Sequence, residues 1–130
     1  MTVQVHYLLT DELRLVTPTG WTERTLPALE PRPFVMEPVG TTAGEWAMGA
    51  CREAGFELDV RFTSTDLQIH LRLVESGLAA ALLPDLAGAG DRQNLVARRL
   101  PDRPTRQVFT MVRRGSAPHP GIRALTAALR

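Results

Sequence analysis

The sequence predicts an α/β fold: a Rossmann-like sheet with helices on both faces. Three observations carry this. The run Leu78 to Leu83 contains no polar residue, as expected of a strand buried on both faces. Two helical stretches, one after Gly40 and one after Phe62, open on hydroxyl residues and close on glycine. From Phe62 to Asp85 the order is strand, capped helix, glycine stop, apolar strand, proline stop, which is a βαβ unit with its punctuation in place.

The remaining elements follow in order. Val3 to Leu9 reads as a strand and Thr10-Asp11 as a turn. Glu12 to Thr17 alternates, with Leu13 and Leu15 on one face and Arg14 and Val16 on the other. Pro18 and Gly20 break that pattern, and Leu26 to Leu29 suits one helical turn. Pro31 and Pro33 force extended backbone into a short buried strand, Phe34 to Met36. Thr42 and Glu45 have capping-box spacing, and the helix they open runs to about Ala54. Gly55 is its expected left-handed stop. Ala43, Ala47, Ala50, Cys51 and Ala54 give it a flat apolar face, with Trp46 at the edge.

Leu58 to Thr63 is the next strand. Thr65 and Gln68 have capping-box spacing, and Asp66 suits the helix dipole. Leu67, Leu71 and Val74 form a stripe that Ile69 and Leu73 widen, which leaves His70 assigned to the solvent side. Ala87 to Arg92 reads as a loop, Leu95 to Leu100 and Gln107 to Arg113 as strands, and Ile122 to Leu129 as a closing helix.

Composition bounds the function. At 130 residues and 44% hydrophobic, the chain can bury one core. Its net charge is +1, and every basic side chain is arginine. Arg98, Arg99, Arg103 and Arg106 form the densest basic cluster, read as a solvated face diluted by Glu75, Asp91 and Asp102 rather than a DNA-binding stripe. The single Cys51 excludes an internal disulfide and a cysteine-based zinc cluster. No secretory signal or membrane-length apolar run is present, so a soluble, cytoplasmic setting is expected, with no membrane partner.

Chemistry concentrates at two loops. In an open parallel sheet both helix starts lie at the carboxyl edge, where ligands bind in a crevice. The first loop offers Met36, Glu37, Val39, Gly40, Thr41 and Thr42; the second offers Thr63, Ser64, Thr65 and Asp66. Free N–H groups and helix dipoles there suit a polar or anionic head group. Two readings stand: the hydroxyls contact a ligand, or they only cap their helices. Likewise Glu37 either faces a cationic ligand or is simply solvated. His6, His70 and His119 lack metal-ligand spacing and stand beside no nucleophile, so no catalytic residue and no metal site is expected. No phosphate loop or dinucleotide fingerprint occurs, and no cofactor is expected.

These motifs together resemble a known family. The run from Thr63 to Asp66, the helix LQIHLRLVESG, the strand LAAALLP and the tail RQVFTMVRRGSAPHPGIRALTAAL are similar to the effector-binding, or substrate-binding, domain of LysR-type transcriptional regulators. The opening LLTDELRLVTPTGW and the stretch PFVMEPVGTTAGEWAMGACREAGFELDV resemble its second subdomain and the crossover into it. The resemblance spans essentially the whole chain. It implies half of a type 2 periplasmic-binding-protein fold: crossover strands over 1–20, a second effector-binding subdomain over 21–105, and a return strand and terminal helix over 106–130. It implies an effector held between two subdomains, with the loop Gly40 to Thr42 and the run Thr63 to Thr65 contributing contacts. It also implies a homo-oligomer that reaches DNA only through an N-terminal domain. The family's winged helix-turn-helix and most of its first subdomain have no counterpart here, so a truncated piece is expected. Where family members often carry a second glycine after Gly77, this chain has Ala79. The competing readings are a stand-alone binding protein of the periplasmic type, which calls for a secretory signal, and an enzyme on a related scaffold, which calls for a titratable pair in the crevice.

Overall fold

The structure, a computed structural model, describes residues 2–129. Its strands are β1 (Val3–Pro18), β2 (Pro33–Met36), β3 (Asp59–Thr63), β4 (Ala81–Pro84), β5 (Leu95–Arg99) and β6 (Thr105–Arg113); its helices are α1 (Thr42–Glu53), α2 (Leu67–Glu75) and α3 (Pro120–Ala128). The chain divides into two compact units, one of residues 12–104 and one of residues 1–11 with 105–130.

The larger unit is a mixed sheet covered on both faces. β2 and β3 pair in parallel, with Met36 opposite Thr63. A parallel bridge between Phe34 and Ala80 joins β2 to the approach of β4, closed by Val35 N–H to Ala80 C=O at 3.0 Å and Ala80 N–H to Pro33 C=O at 2.9 Å. β1 then pairs antiparallel with β4 and with β5, so the strands run β3-β2-β4-β1-β5. Alternation sends neighbouring residues to opposite faces. Leu15, Phe34 and Ala80 join Ala47 and Cys51 of α1 in one core; Val16, Val35 and Ala81 join Leu71 and Val74 of α2 in the other. Both cores are built mainly from aliphatic side chains, as a composition of 5% aromatics requires.

Several local expectations are corrected. Thr10 and Asp11 form no turn; β1 runs unbroken through them. Each finds a cross-strand partner on β6: the Thr10 hydroxyl donates to Gln107 Oε1 at 3.2 Å, and Arg106 Nε donates to the buried Asp11 carboxylate at 3.1 Å. Leu78 is half exposed, and strand pairing with β1 starts only at Ala81, because Gly77 (φ +79°) still turns the chain out of α2. Residues 85–91 are two 3-10 turns rather than a featureless loop, hinged at Gly88 (φ +90°). In α1, Gly44, Ala47 and Cys51 are buried, whereas Ala43 is exposed. Within the basic cluster, Arg99 and Arg103 pair with Glu12 and Arg106 with Asp11, two acids outside the expected set; Glu75, which was in that set, pairs with Arg92 outside the cluster.

In the smaller unit, β6 pairs with β1, and the Tyr7 and Phe109 rings pack tilted by 58°, with centroids 5.8 Å apart. Val5, Leu9 and Met111 are also exposed there. His6, Val112, Ile122 and Thr126 line a common groove, which sets α3 against the ribbon. Pro120 opens α3, and His119 Nδ1 accepts from the Gly121 N–H at 3.1 Å, so this histidine is a helix cap.

Candidate functional site

The carboxyl ends of β2 and β3 bring both candidate loops together. Their register sets Met36 beside Thr63, and the Ser64 N–H donates to the Met36 carbonyl at 3.0 Å. α1 and α2 leave these strands on opposite faces of the sheet, so their N-termini flank one edge.

The first loop is a tight, self-supporting turn. Gly40 takes φ +95°, a conformation glycine adopts without Cβ strain. The cap of α1 is Thr41, one residue before the expected Thr42. The Thr41 hydroxyl donates to the Pro38 carbonyl at 2.7 Å and accepts from the Gly44 N–H at 3.1 Å. Glu45 reaches back, as a capping-box glutamate does, but to the Gly40 N–H at 3.2 Å. The register shifts because Gly44 lets the loop lie on the helix. A Cβ there would stand 2.6 Å from the Pro38 carbonyl oxygen and 2.9 Å from that of Glu37. Thr42 is thereby released: it is exposed, and among the described residues its hydroxyl makes no hydrogen bond. Among the described residues, the N–H groups of Thr42 and Ala43, first and second in the helix, also lack acceptors.

The second loop shows the same one-residue shift. Asp66, not Thr65, caps α2, its carboxylate accepting from the Gln68 N–H at 2.9 Å. The Ser64 hydroxyl oxygen accepts from the Asp66 N–H at 3.0 Å. Gln68 takes no part in a capping box; its amide bonds the Ala87 carbonyl and Arg92 instead. Thr63 and Thr65 are exposed, and among the described residues their hydroxyls make no hydrogen bond.

The ten expected site residues therefore separate by task, with Val39 simply exposed on the first loop. Met36 is buried in the α1 core, and its carbonyl is committed to Ser64. Gly40, Thr41, Ser64 and Asp66 build the two turns. Thr42, Thr63 and Thr65 present unused hydroxyls, and Glu37 is half-buried with no ion pair among the described residues. The arrangement offers hydrogen-bond donors to a small acceptor-bearing molecule. It offers no nucleophile with an adjacent base, and among the described residues no group of three His, Cys, Asp or Glu side chains is placed to hold a metal ion.

His70 was placed wrongly by the sequence pattern. It is only 2% exposed, and its Nε2 lies 2.7 Å from the Ser64 carbonyl oxygen. The signal was present: position 70 is three residues after Leu67 and four before Val74, on the buried stripe. Ile69, assigned to that stripe, is exposed instead. The side chains with perturbed acidity lie elsewhere. The Arg103 hydrogen bond, aided by the charges of Arg14 and Arg99 and opposed by burial, holds Glu12 below the usual carboxylate range. The Arg32 hydrogen bond does the same for Glu23, while Arg32 also stacks 4.4 Å from the Trp21 ring centre. Burial, with Glu57 nearby, pushes the Cys51 thiol up to about 12.

Known proteins share this fold. The LysR substrate binding domain family model matches residues 2–130. Among solved structures, the C-terminal domain of a probable LysR family regulator from Rhodococcus sp. RHA1 superposes with a TM-score of 0.74 at 20% identity, covering 98% of this chain and 67% of that one. The regulatory domain of CcmR from Synechocystis PCC6803, solved in complex with 2-PG, gives 0.74 at 15% identity, with 98% and 65% covered. The LysR family regulator CbnR gives 0.72 at 19% identity, with 98% and 47% covered. The chain thus spans about two thirds of the solved regulatory domains and about half of CbnR. No curated protein matches it by sequence. No helix among the described residues is long and apolar enough to cross a membrane. The chain belongs to the LysR substrate-binding domain family, whose solved relatives here are regulatory domains of transcriptional regulators, and its fold is theirs.

Proposed function

We propose that this chain is effector-sensing regulatory material of a LysR-type transcriptional regulator, and not an enzyme. A small ligand sits at the carboxyl edge of β2 and β3, in what is one wall of an effector cleft. The observation that supports this is the Ser64 to Met36 hydrogen bond, which joins the two loops that carry two free helix N–H groups and three unused threonine hydroxyls. All of these are donors or donor-capable, so the ligand presents acceptors there. A carboxylate or similar anionic head group fits the N–H groups of Thr42 and Ala43. Among the described residues no arginine is bonded to any of these site residues, and the Glu37 and Asp66 carboxylates stand close by in sequence. A head group with one negative charge therefore suits the wall better than a doubly charged one.

Binding acts by differential affinity. The ligand favours one arrangement of a homo-oligomer over another, and DNA-binding domains joined to the regulator read the change. The working site is the cytoplasm. Thermal shift of the purified chain against small monocarboxylates tests the site: stabilisation expected in the wild type is lost in Thr63→Val and Thr65→Val. A catalytic activity of the chain that survives Thr65→Ala but is lost in Asp66→Asn would instead favour the enzyme reading.

A further inference from the structure

The one buried histidine beside the crevice has no role in the reading above. His70 comes from the first turn of α2, on the core face of the helix, yet its Nε2 reaches the Ser64 carbonyl at 2.7 Å. A carbonyl oxygen only accepts, so Nε2 carries the hydrogen and the tautomer is fixed. Nδ1 is buried and has no hydrogen-bond partner among the described residues. A leucine would satisfy the apolar stripe at this position and leave no polar atom stranded. The histidine costs packing chemistry here, and the Ser64 carbonyl is what it gains.

Ser64 is consequently held at three points. Its N–H donates to Met36, its carbonyl accepts from His70, and its hydroxyl oxygen accepts from the Asp66 N–H. Its neighbours Thr63 and Thr65 are exposed with unused hydroxyls. We propose that His70 is a positioning residue for the ligand-facing threonines: bonded from inside the α2 core, it fixes the Ser64 peptide so that Thr63 and Thr65 present their hydroxyls to the effector. The proposal rests on the crevice being the effector site, but its physical core, an anchored Ser64, is measurable without any ligand.

The experiment is NMR on the whole chain as the wild type, His70→Gln and His70→Leu. Glutamine places its amide nitrogen the same number of bonds from Cα as histidine places Nε2, so it can keep the donor; leucine cannot. In the wild type the imidazole nitrogens should report hydrogen on Nε2. In His70→Leu the Ser64 N–H should exchange about tenfold faster or more, while the Val35 and Leu83 amides in the sheet centre stay within about twofold. His70→Gln should restore Ser64 to near the wild-type rate. Hydrogen on Nδ1 in the wild type, an unchanged Ser64 rate in His70→Leu, or acceleration spread evenly over the sheet would each overturn the proposal. Ligand shifts mapping away from the crevice would overturn the effector reading while leaving the exchange result intact, so the two failures are distinguishable.

Discussion

Gly44→Ala inverts the usual rule for glycine in a helix. In a helix interior, alanine is favoured over glycine by about 1 kcal/mol. Gly49, in the same helix, follows that rule, because a Cβ there meets nothing within 4 Å. At Gly44 the added carbon would sit 2.6 Å from the Pro38 carbonyl oxygen and 2.9 Å from both the Glu37 carbonyl oxygen and the Thr41 hydroxyl. Two of these are backbone atoms, which cannot rotate away. Overpacking of this kind typically costs about 1–3 kcal/mol. With two fixed oxygens the upper half of that range applies, and after the propensity gain the net loss is about 1–2 kcal/mol. For a chain of this size that corresponds to a melting temperature lower by about 3–8 °C. Urea unfolding followed by far-ultraviolet circular dichroism reads both variants. Gly49→Ala should raise the midpoint and Gly44→Ala should lower it. A Gly44→Ala protein as stable as the wild type would refute the close seating of the 37–41 loop on α1, and with it the geometry of the crevice.

Paired substitutions test the two shifted caps. Thr41→Ala and Asp66→Ala should each cost about 1 kcal/mol in urea unfolding, whereas Thr42→Ala and Thr65→Ala should be near neutral. The acid side of the stability profile should carry a Glu12 contribution. Its carboxyl is held below the usual 4.5 by Arg103 first, then Arg14 and Arg99, so the stabilisation is present above that value and is lost as pH falls through the lower folded value. Glu12→Gln should therefore differ most from the wild type near neutral pH, and the gap should narrow below pH 4.5. Cys51, fully buried with its thiol pushed up to about 12, should resist alkylation at pH 8 until denaturant unfolds the chain, as mass spectrometry would show.

Much of this was legible in the residues. The unbroken apolar run around Ala81 marked the central strand, and Pro31 and Pro33 delivered the chain into β2. Gly55 and Gly77 ended their helices in the left-handed conformation, at φ +100° and +79°. The capping residues were found only to within one position, for a tertiary reason. Both loops offer adjacent hydroxyl or carboxyl caps, and the choice at α1 depends on Gly44 admitting the Pro38 carbonyl, a contact that spacing alone does not reveal. His70 was misplaced because its polarity outweighed its position; a stripe drawn strictly at three- and four-residue steps from Leu67 to Val74 includes it. The Thr10-Asp11 turn was read from local chemistry, while the cross-strand partners Gln107 and Arg106, more than ninety residues away, make it strand.

In the proposed function, a small acceptor-bearing ligand meets this chain at Thr42, Ala43, Thr63 and Thr65. The most direct measurement is an amide-resolved NMR titration of the chain with a panel of small monocarboxylates. Saturable shifts should centre on those four residues and carry inward to Ser64 and His70. Saturable shifts centred instead on the groove between Trp46 and Leu100, about 540 Å³ in volume, would contradict it.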